Sequence, residues 1–168
     1  MNLLRTRVDP LHKKRLSKFF GMSLSNPSLP ENIKNLFWMY YIPEEKETFA
    51  MNNRKEAAFF GLTLMCAMDN MSLYSEDTFE SRLWMLENDA TESDKRRINA
   101  IFMSNITQTS EYIELLGRVL RKPDNLSKIQ GVNIDKLMQD LIGLGNIYQS
   151  SKIKQKWASK IYKTEEEL

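Results

Sequence analysis

The sequence has few of the residues on which most enzymes, metalloproteins and secreted domains depend. Its 168 residues include one histidine, His12, and one cysteine, Cys66. A lone cysteine excludes an intramolecular disulfide, and one histidine with one cysteine falls short of the usual zinc ligand sets. Cys66 lies in the apolar run "GLTLMCAM", which favours a buried, unreactive thiol and a reducing compartment. We therefore expect no disulfide, no metal and no cofactor.

Long hydrophobic runs and catalytic motifs are also missing. No unbroken apolar run approaches the ~20 residues that span a bilayer, and the N-terminus lacks the features of a secretory signal. The segment "GLGNIY" lacks the third glycine of a dinucleotide-binding loop, and no strand precedes it, so helix termination explains it better. A serine triad using His12 has no nucleophile elbow to support it. We expect a cytoplasmic, non-catalytic protein that does not contact a membrane.

The charges are unevenly distributed along the chain, although the net charge is only +2. Residues 1–18 carry six lysines and arginines against one acid, residues 44–94 carry twelve acids against four bases, and residues 95–163 carry thirteen bases against five acids. Such a chain can present separate basic and acidic surfaces. The alternative is that the opposite blocks neutralise each other in the folded protein.

Apolar residues recur with helical spacing almost throughout, and no strand pattern appears. We predict an all-α bundle of about eight helices, forming either one continuous domain or two packed lobes, 1–90 and 91–168. Leu11 and Leu16 should face inward on the first helix, and "KPDNLSKIQG" should be a loop. The predicted helix starts are Asp9-Pro10, Pro30-Glu31, residue 49 (continuing to about 71), Ser75, Thr91 in the capping-box sequence "TESD", residue 110, Asn133, and Ser150 or Ser151.

The stretch "KIKQKWASKIYK", residues 152–163, combines an apolar stripe with a row of lysines. Ile153, Trp157 and Ile161 are four residues apart and so share one helix face. The lysines either cover an ordinary solvated face or bind a polyanion. Together with the clusters "HKKRLSK" and "KRR", they supply enough charge for several phosphate contacts. No helix resembles a base reader, which favours sequence-independent backbone binding.

Aromatic side chains lie close to these bases in the sequence. Phe19, Trp157 and Tyr162 could stack on nucleotides, as aromatic side chains do in single-strand binding proteins. Their helical phase instead favours packing in the core.

Four motifs in order resemble the C-terminal half of the CasB family, the small subunit of the type I-E CRISPR surveillance complex Cascade. They are "ESDKRRINAIF", "YIELLGRVLR", "VNIDKLMQDLIGL" and "KIKQKWASKIY", which together cover about 70 residues. In the N-terminal half, "HKKRLSK", "NNRKEAAFFGLTL" and "ESRLWML" match more loosely. The chain departs from the family pattern at Ile98, where an aromatic is usual, and at Gly117, where an arginine is common. "GLGNIYQSS" replaces the segment that usually carries a tryptophan.

The resemblance implies an all-α, non-enzymatic subunit that is present in two copies in the complex. Its partners would be the crRNA-containing assembly of backbone and large subunits, a second copy of itself, and target DNA, especially the displaced single strand of the R-loop. By motif position, Arg54 and Arg118 are the first candidates for nucleic-acid contacts. The further candidates are Lys14, Arg15, Lys152, Lys154 and Lys156, followed by Arg96 and Arg97, one of which could instead pair with Asp94 or Glu92.

A second hypothesis comes from a different functional class. The same charge pattern would suit a helical adaptor that binds an acidic protein partner and no nucleic acid.

Overall fold

The computed structural model describes residues 3–5, 7–44, 51–68 and 75–162, and within these ranges its regular secondary structure is helical, with no strand beyond an isolated bridge between Leu4 and Tyr41. This confirms the predicted all-α bundle. None of the described helices is both long enough and apolar enough to cross a bilayer. The helices are α1 (Pro10–Ser17), α2 (Glu31–Tyr40), α3 (Met51–Ala67), α4 (Leu83–Asn88, preceded by a 3₁₀ turn at Glu80–Arg82), α5 (Glu92–Met103), α6 (Thr109–Leu120), α7 (Pro123–Lys128), α8 (Ile134–Leu144) and α9 (Ser150–Ile161).

Three of the predicted helix caps are present. Asp9 accepts a hydrogen bond from the backbone N–H of Leu11 at 2.8 Å, and Thr91 accepts one from Asp94 at 3.2 Å. Asn133 accepts one from Lys136 at 2.9 Å. Each side chain satisfies an amide that has no partner inside its own helix, as capping residues do.

Helix α3 is the centre of the bundle. It packs against α1, α6 and α8, and the side chains of Phe59, Phe60 and Leu62 are fully buried. The same hydrophobic cluster includes Leu16 of α1 and Leu141 of α8, so residues of both predicted lobes share one core. The predicted ends of α3, near residues 49 and 71, lie outside the described residues.

A close backbone contact joins the turn after α1 to α6. Gly21 adopts φ +88°, which glycine tolerates much better than other residues do. A Cβ atom added at Gly117 would lie 2.5 Å from the Cα of Gly21 and closer still to its carbonyl oxygen. The contact therefore requires the glycine that stands at 117, where the resembled family commonly has arginine.

Two carboxylates hold the loop that follows this contact. Glu56 of α3 accepts hydrogen bonds from the amides of Leu24 and Ser25, at 2.7 and 2.9 Å. Glu114 of α6 accepts one from the amide of Ser23 at 3.0 Å. Burial raises the pKa of Glu56, whereas at Glu114 the hydrogen bonds outweigh burial and hold the pKa below its ordinary value. The loop is thus tied to both α3 and α6.

Four local predictions were wrong. Leu11 is 75% exposed, because α1 turns its other face, with Leu16, toward the core. Residues 123–128 form α7 instead of a loop, since Pro123 and Asp124 suit a first helical turn. Ser75 accepts from the Asp77 amide in a turn before the 3₁₀ segment, and no helix begins there. Neither Ser150 nor Ser151 caps α9, which starts after Gln149 without a side-chain cap.

Replacing Gly117 with alanine should destabilise the protein by about 1–3 kcal/mol, because the new methyl group would meet the backbone of Gly21. The greater helix propensity of alanine offsets about 1 kcal/mol of that strain. Urea unfolding followed by circular dichroism measures the change. Gly61→Ala is the matched control, since its new methyl group would meet only the flexible thioether of Met138 and the side chain of Ile134. Equal losses of stability in the two variants would contradict this account.

Candidate nucleic-acid interface

Arg54, a first candidate from the sequence, is an internal residue. It is 5% exposed, and its Nη1 donates to the Tyr41 hydroxyl at 2.7 Å and to the Ile42 carbonyl at 2.6 Å. Its Nε lies 3.3 Å from a carboxylate oxygen of Glu44. The guanidinium thus fixes the start of α3 to the segment after α2. Because it is buried and ion-paired, we no longer assign Arg54 to a nucleic-acid contact.

Arg97 is also occupied within the protein, through the buried carboxylate of Asp94. The Asp94 carboxylate accepts hydrogen bonds from Arg97 at 2.9 Å, from Lys122 at 2.7 Å and from the side-chain amide of Asn125 at 3.3 Å, and Asp94 is only 1% exposed. Burial by itself would raise the pKa of Asp94, but the hydrogen bonds from Lys122 and Arg97 lower it below its ordinary value. Of the two arginines that the sequence allowed to pair with Asp94, the structure selects Arg97. Arg96 is exposed.

Lys156 and Trp157 attach α9 to α8 through a shared carboxylate. Lys156 Nζ lies 2.9 Å from each oxygen of Asp140, and Trp157 Nε1 donates to the same group at 2.9 Å. A second acid, Glu80, lies 3.8 Å from Lys156. Trp157 is fully buried and packs edge-to-face on Phe79. Core packing therefore explains Trp157, and internal ion pairs occupy Lys156.

Lys154 of α9 lies near the C-terminal end of α5. Lys154 Nζ is 3.4 Å from the Ser104 carbonyl oxygen and 5.5 Å from the centre of the Tyr112 ring. Lys152, two residues earlier, is exposed on the first turn of α9. Neither lysine forms an ion pair with a carboxylate in the part of the chain that the structure describes.

The remaining candidates lie on α1, α5 and α6, and we call the exposed bases of these helices and their C-terminal caps that lack an ion pair the basic end. The Gly21–Gly117 contact places the turn after α1 against α6, and the Lys122–Asp94 ion pair joins the residue after α6 and its cap to the start of α5. Six bases of these segments are exposed and form no ion pair among the described residues. They are Lys14, Arg15, Lys18, Arg96, Arg118 and Arg121.

Two of these six bases were not among the sequence-based candidates. Lys18 and Arg121 belong to basic clusters that are visible in the sequence, but nothing local distinguished them from their neighbours. The Nε of Arg121 donates to the Gly117 carbonyl, and a Cβ added at Gly21 would lie 2.9 Å from the same nitrogen. Only the tertiary contact between the two glycines shows that the clusters of α1 and α6 belong together.

The lone histidine and the lone cysteine both have partners or burial that hold them within the fold. The described residues contain no cluster of three histidine, cysteine or acidic side chains that could hold a metal ion. His12 Nδ1 lies 2.7 Å from the Tyr40 hydroxyl, so the ring is engaged with a tyrosine. Cys66 is 7% exposed, and burial raises the pKa of its thiol to about 11 despite the nearby Lys13.

Cys66 should therefore react slowly with iodoacetamide at pH 8, because the thiolate is the reactive form and is scarce there. Denaturation in guanidinium should increase the rate by at least an order of magnitude. A single cysteine introduced at the exposed Ser159, in a Cys66→Ser background, provides the comparison. Similar rates for the native Cys66 and the introduced cysteine would overturn the interpretation of a buried thiol.

Asp94→Asn should lower the free energy of unfolding at pH 7 by about 1–3 kcal/mol, since two cations lose their shared anion. Because the pKa of Asp94 is lowered in the folded protein, this stabilisation is fully present above about pH 4, the ordinary pKa of an aspartate. It is lost as the pH falls through the pKa that Asp94 has in the folded state. Wild type and variant should therefore converge in acid when urea unfolding is measured across pH. Asp124→Asn, at an exposed position, should show no such pH-dependent difference.

Among the residues that the structure describes, these bases without a carboxylate partner thus fall into two groups. The basic end carries six of them, and Lys152 and Lys154 lie on α9, with Lys154 beside the carbonyl of Ser104 just after α5. Compared with protein-family models, with curated proteins and with solved structures, the chain matches none.

Proposed function

We propose that the protein is a non-catalytic small subunit of a Cascade-type, RNA-guided CRISPR complex, and that it binds the nucleic-acid backbone without reading sequence. Its target would be DNA opened by guide pairing, with the displaced strand as the principal ligand. In such a complex base pairing with the guide reads the sequence, so the protein subunits need only charge and shape.

The basic end is the observation that carries this proposal. Three helices contribute exposed lysines and arginines there, and no ion pair with a described carboxylate occupies them. Arg96 and Arg118 can each grip a phosphate with a planar guanidinium. Binding of this kind gains affinity from counterion release and is independent of base identity.

Membership of a larger assembly is supported by exposed aromatic and apolar side chains on α2. Trp38 and Met39 of α2 are 52% and 53% exposed, and the ammonium of Lys55 lies 5.2 Å from the Trp38 ring centre. Tryptophan and methionine are enriched in protein interfaces. This face would contact a neighbouring backbone or large subunit, or the second copy of the chain.

Neutralising Arg96 and Arg118 together as glutamines should weaken binding of a labelled single-stranded oligonucleotide while leaving the helical circular dichroism signal intact. The slope of log affinity against log salt should become shallower by about 0.7 for each phosphate that the variant no longer neutralises. Fluorescence anisotropy at several salt concentrations measures both quantities. Replacing Lys34 of α2 and Lys136 of α8 with glutamine makes the same change in net charge and should alter neither the affinity nor the salt slope.

The adaptor hypothesis is tested in the same assay. Short single-stranded DNA and polyglutamate are added separately as competitors, because salt dependence alone does not distinguish a nucleic acid from an acidic protein. Displacement of the oligonucleotide by DNA but not by polyglutamate at equal charge supports the proposal. A folded wild-type protein that does not bind the oligonucleotide, or a double variant with unchanged affinity and salt slope, would contradict it.

A further inference from the structure

A polar groove lies on the surface near the C-terminal end of α5 and the start of α6. It consists of two adjoining cavities, of about 530 and 230 Å³, that share Thr107 and Gly145 in their walls. The loop between α5 and α6 forms one side, and the turn between α8 and α9 forms the other. Volumes in this range suit a small organic ligand or an unstacked nucleotide, but not a duplex.

The groove has a fixed floor at Gly145. The carbonyl of Gly145 accepts a hydrogen bond from Asn53 Nδ2 at 3.2 Å. A Cβ added at this glycine would lie 2.5 Å from that amide nitrogen and closer still to Thr109 Oγ1. Thr109 is itself fixed, since its hydroxyl donates to the Leu141 carbonyl at 2.7 Å. Three helices thus determine the shape of the groove before any ligand arrives.

The groove walls offer hydrogen-bonding groups that suit bases and sugars. Amides and hydroxyls both donate and accept hydrogen bonds, as the edges of nucleotide bases require. The wall residues that carry these groups are Asn52, Gln108, Ser110, Asn105, Ser150 and Ser151.

The groove is also positively charged overall. Lys55 lines the larger cavity and Lys154 the smaller one, and neither is ion-paired among the described residues. Glu56 is the acid in the wall, and both of its oxygens accept hydrogen bonds from the amides of Leu24 and Ser25. The ammonium of Lys154 lies 3.4 Å from the Ser104 carbonyl in the wall of the smaller cavity, whereas that of Lys55 lies over the Trp38 ring. An anionic ligand in the smaller cavity would therefore meet Lys154, while the Glu56 carboxylate is directed at backbone amides.

An unusually exposed aromatic side chain stands beside the smaller cavity. Tyr148 is 89% exposed and follows Ile147, which lines that cavity and is itself 72% exposed. The turn that carries Tyr148 is held by a hydrogen bond from its own amide to Asn146 Oδ1 at 2.8 Å. Exposed tyrosines next to cationic grooves are the stacking platforms of single-strand binding proteins.

We propose that this groove binds single-stranded nucleic acid, with a base stacked on Tyr148 and a phosphate beside Lys154. The inference rests on the proposed function, because it names the form of nucleic acid and a second place where it binds. A duplex keeps its bases stacked inside and offers no free ring face to Tyr148. The groove therefore adds preference for a single strand, which the backbone contacts of the basic end do not supply.

The experiment measures binding of a labelled oligothymidine and of a matched duplex to the full chain by fluorescence anisotropy. Tyr148→Ala should weaken single-strand binding about tenfold, the typical effect of removing one stacking platform. Tyr148→Phe keeps the ring and should bind within about twofold of wild type. Lys154→Gln should also weaken single-strand binding, and duplex binding should change little in all three variants. Trp84→Ala, which removes an exposed aromatic side chain from α4, is the matched control.

The possible results separate the two proposals. If wild type binds single strands and Arg96→Gln/Arg118→Gln weakens binding, but Tyr148→Ala and Lys154→Gln do not, the groove assignment is wrong and the proposed function stands. If the Tyr148 and Lys154 variants weaken single-strand and duplex binding equally, single-strand selectivity is refuted. If folded wild type binds neither ligand, both proposals fail. Photo-crosslinking of oligo-5-iododeoxyuridine to the peptide that contains Tyr148 should occur in wild type, and its absence alongside tight binding would also overturn the groove assignment.

Discussion

The backbone contact between Gly21 and Gly117 is the constraint on which the arrangement of charges depends. It leaves no room for a side chain at position 117, and it joins two segments that are almost a hundred residues apart in the sequence. Glu56 and Glu114 reinforce the junction by binding the amides that follow Gly21. Without this junction the bases of α1 and α6 would be independent patches. With it, Arg121 of the α6 cluster lies against the turn that follows the α1 cluster.

The opposite charge blocks of the sequence neither separate fully nor cancel. Ion pairs between the blocks link Lys122 to Asp94, Lys156 to Glu80, and Lys128 to Asp89. The first of these is buried on its acidic side, where Asp94 also pairs with Arg97, and it therefore contributes more than an ion pair between two exposed side chains. Internal ion pairs therefore occupy some of the lysines and arginines and leave others without a carboxylate partner. The net charge of the sequence does not show which bases belong to which group.

Local features of the sequence were sufficient to predict much of the fold. The caps at Asp9, Thr91 and Asn133 depend on residues within three positions of each other, and the burial of Trp157 follows from helical periodicity. The candidate site was less predictable, because the fate of a base depends on distant partners. Arg54 follows a hydrophilic turn of helix and looks exposed in the sequence, yet the Tyr41 hydroxyl and the Ile42 carbonyl enclose it. Tyr148 lies in a segment whose sequence indicated only helix termination, and its exposure beside a cavity is a property of the tertiary structure.

Arg96 and Lys154 lie toward opposite ends of α5, since the Lys154 ammonium approaches the carbonyl of Ser104 just after that helix. The eight residues from Arg96 to Ser104 rise about 12 Å, a distance that a few nucleotides of an extended strand can span. One strand of that length or longer can reach both surfaces, and shorter strands can occupy only one of them. Because the second contact of a bridging strand is intramolecular, its effective concentration is high and modest contacts at each surface combine into firm binding. A protein built this way would hold an extended single strand more tightly than its individual contacts suggest, without reading any base.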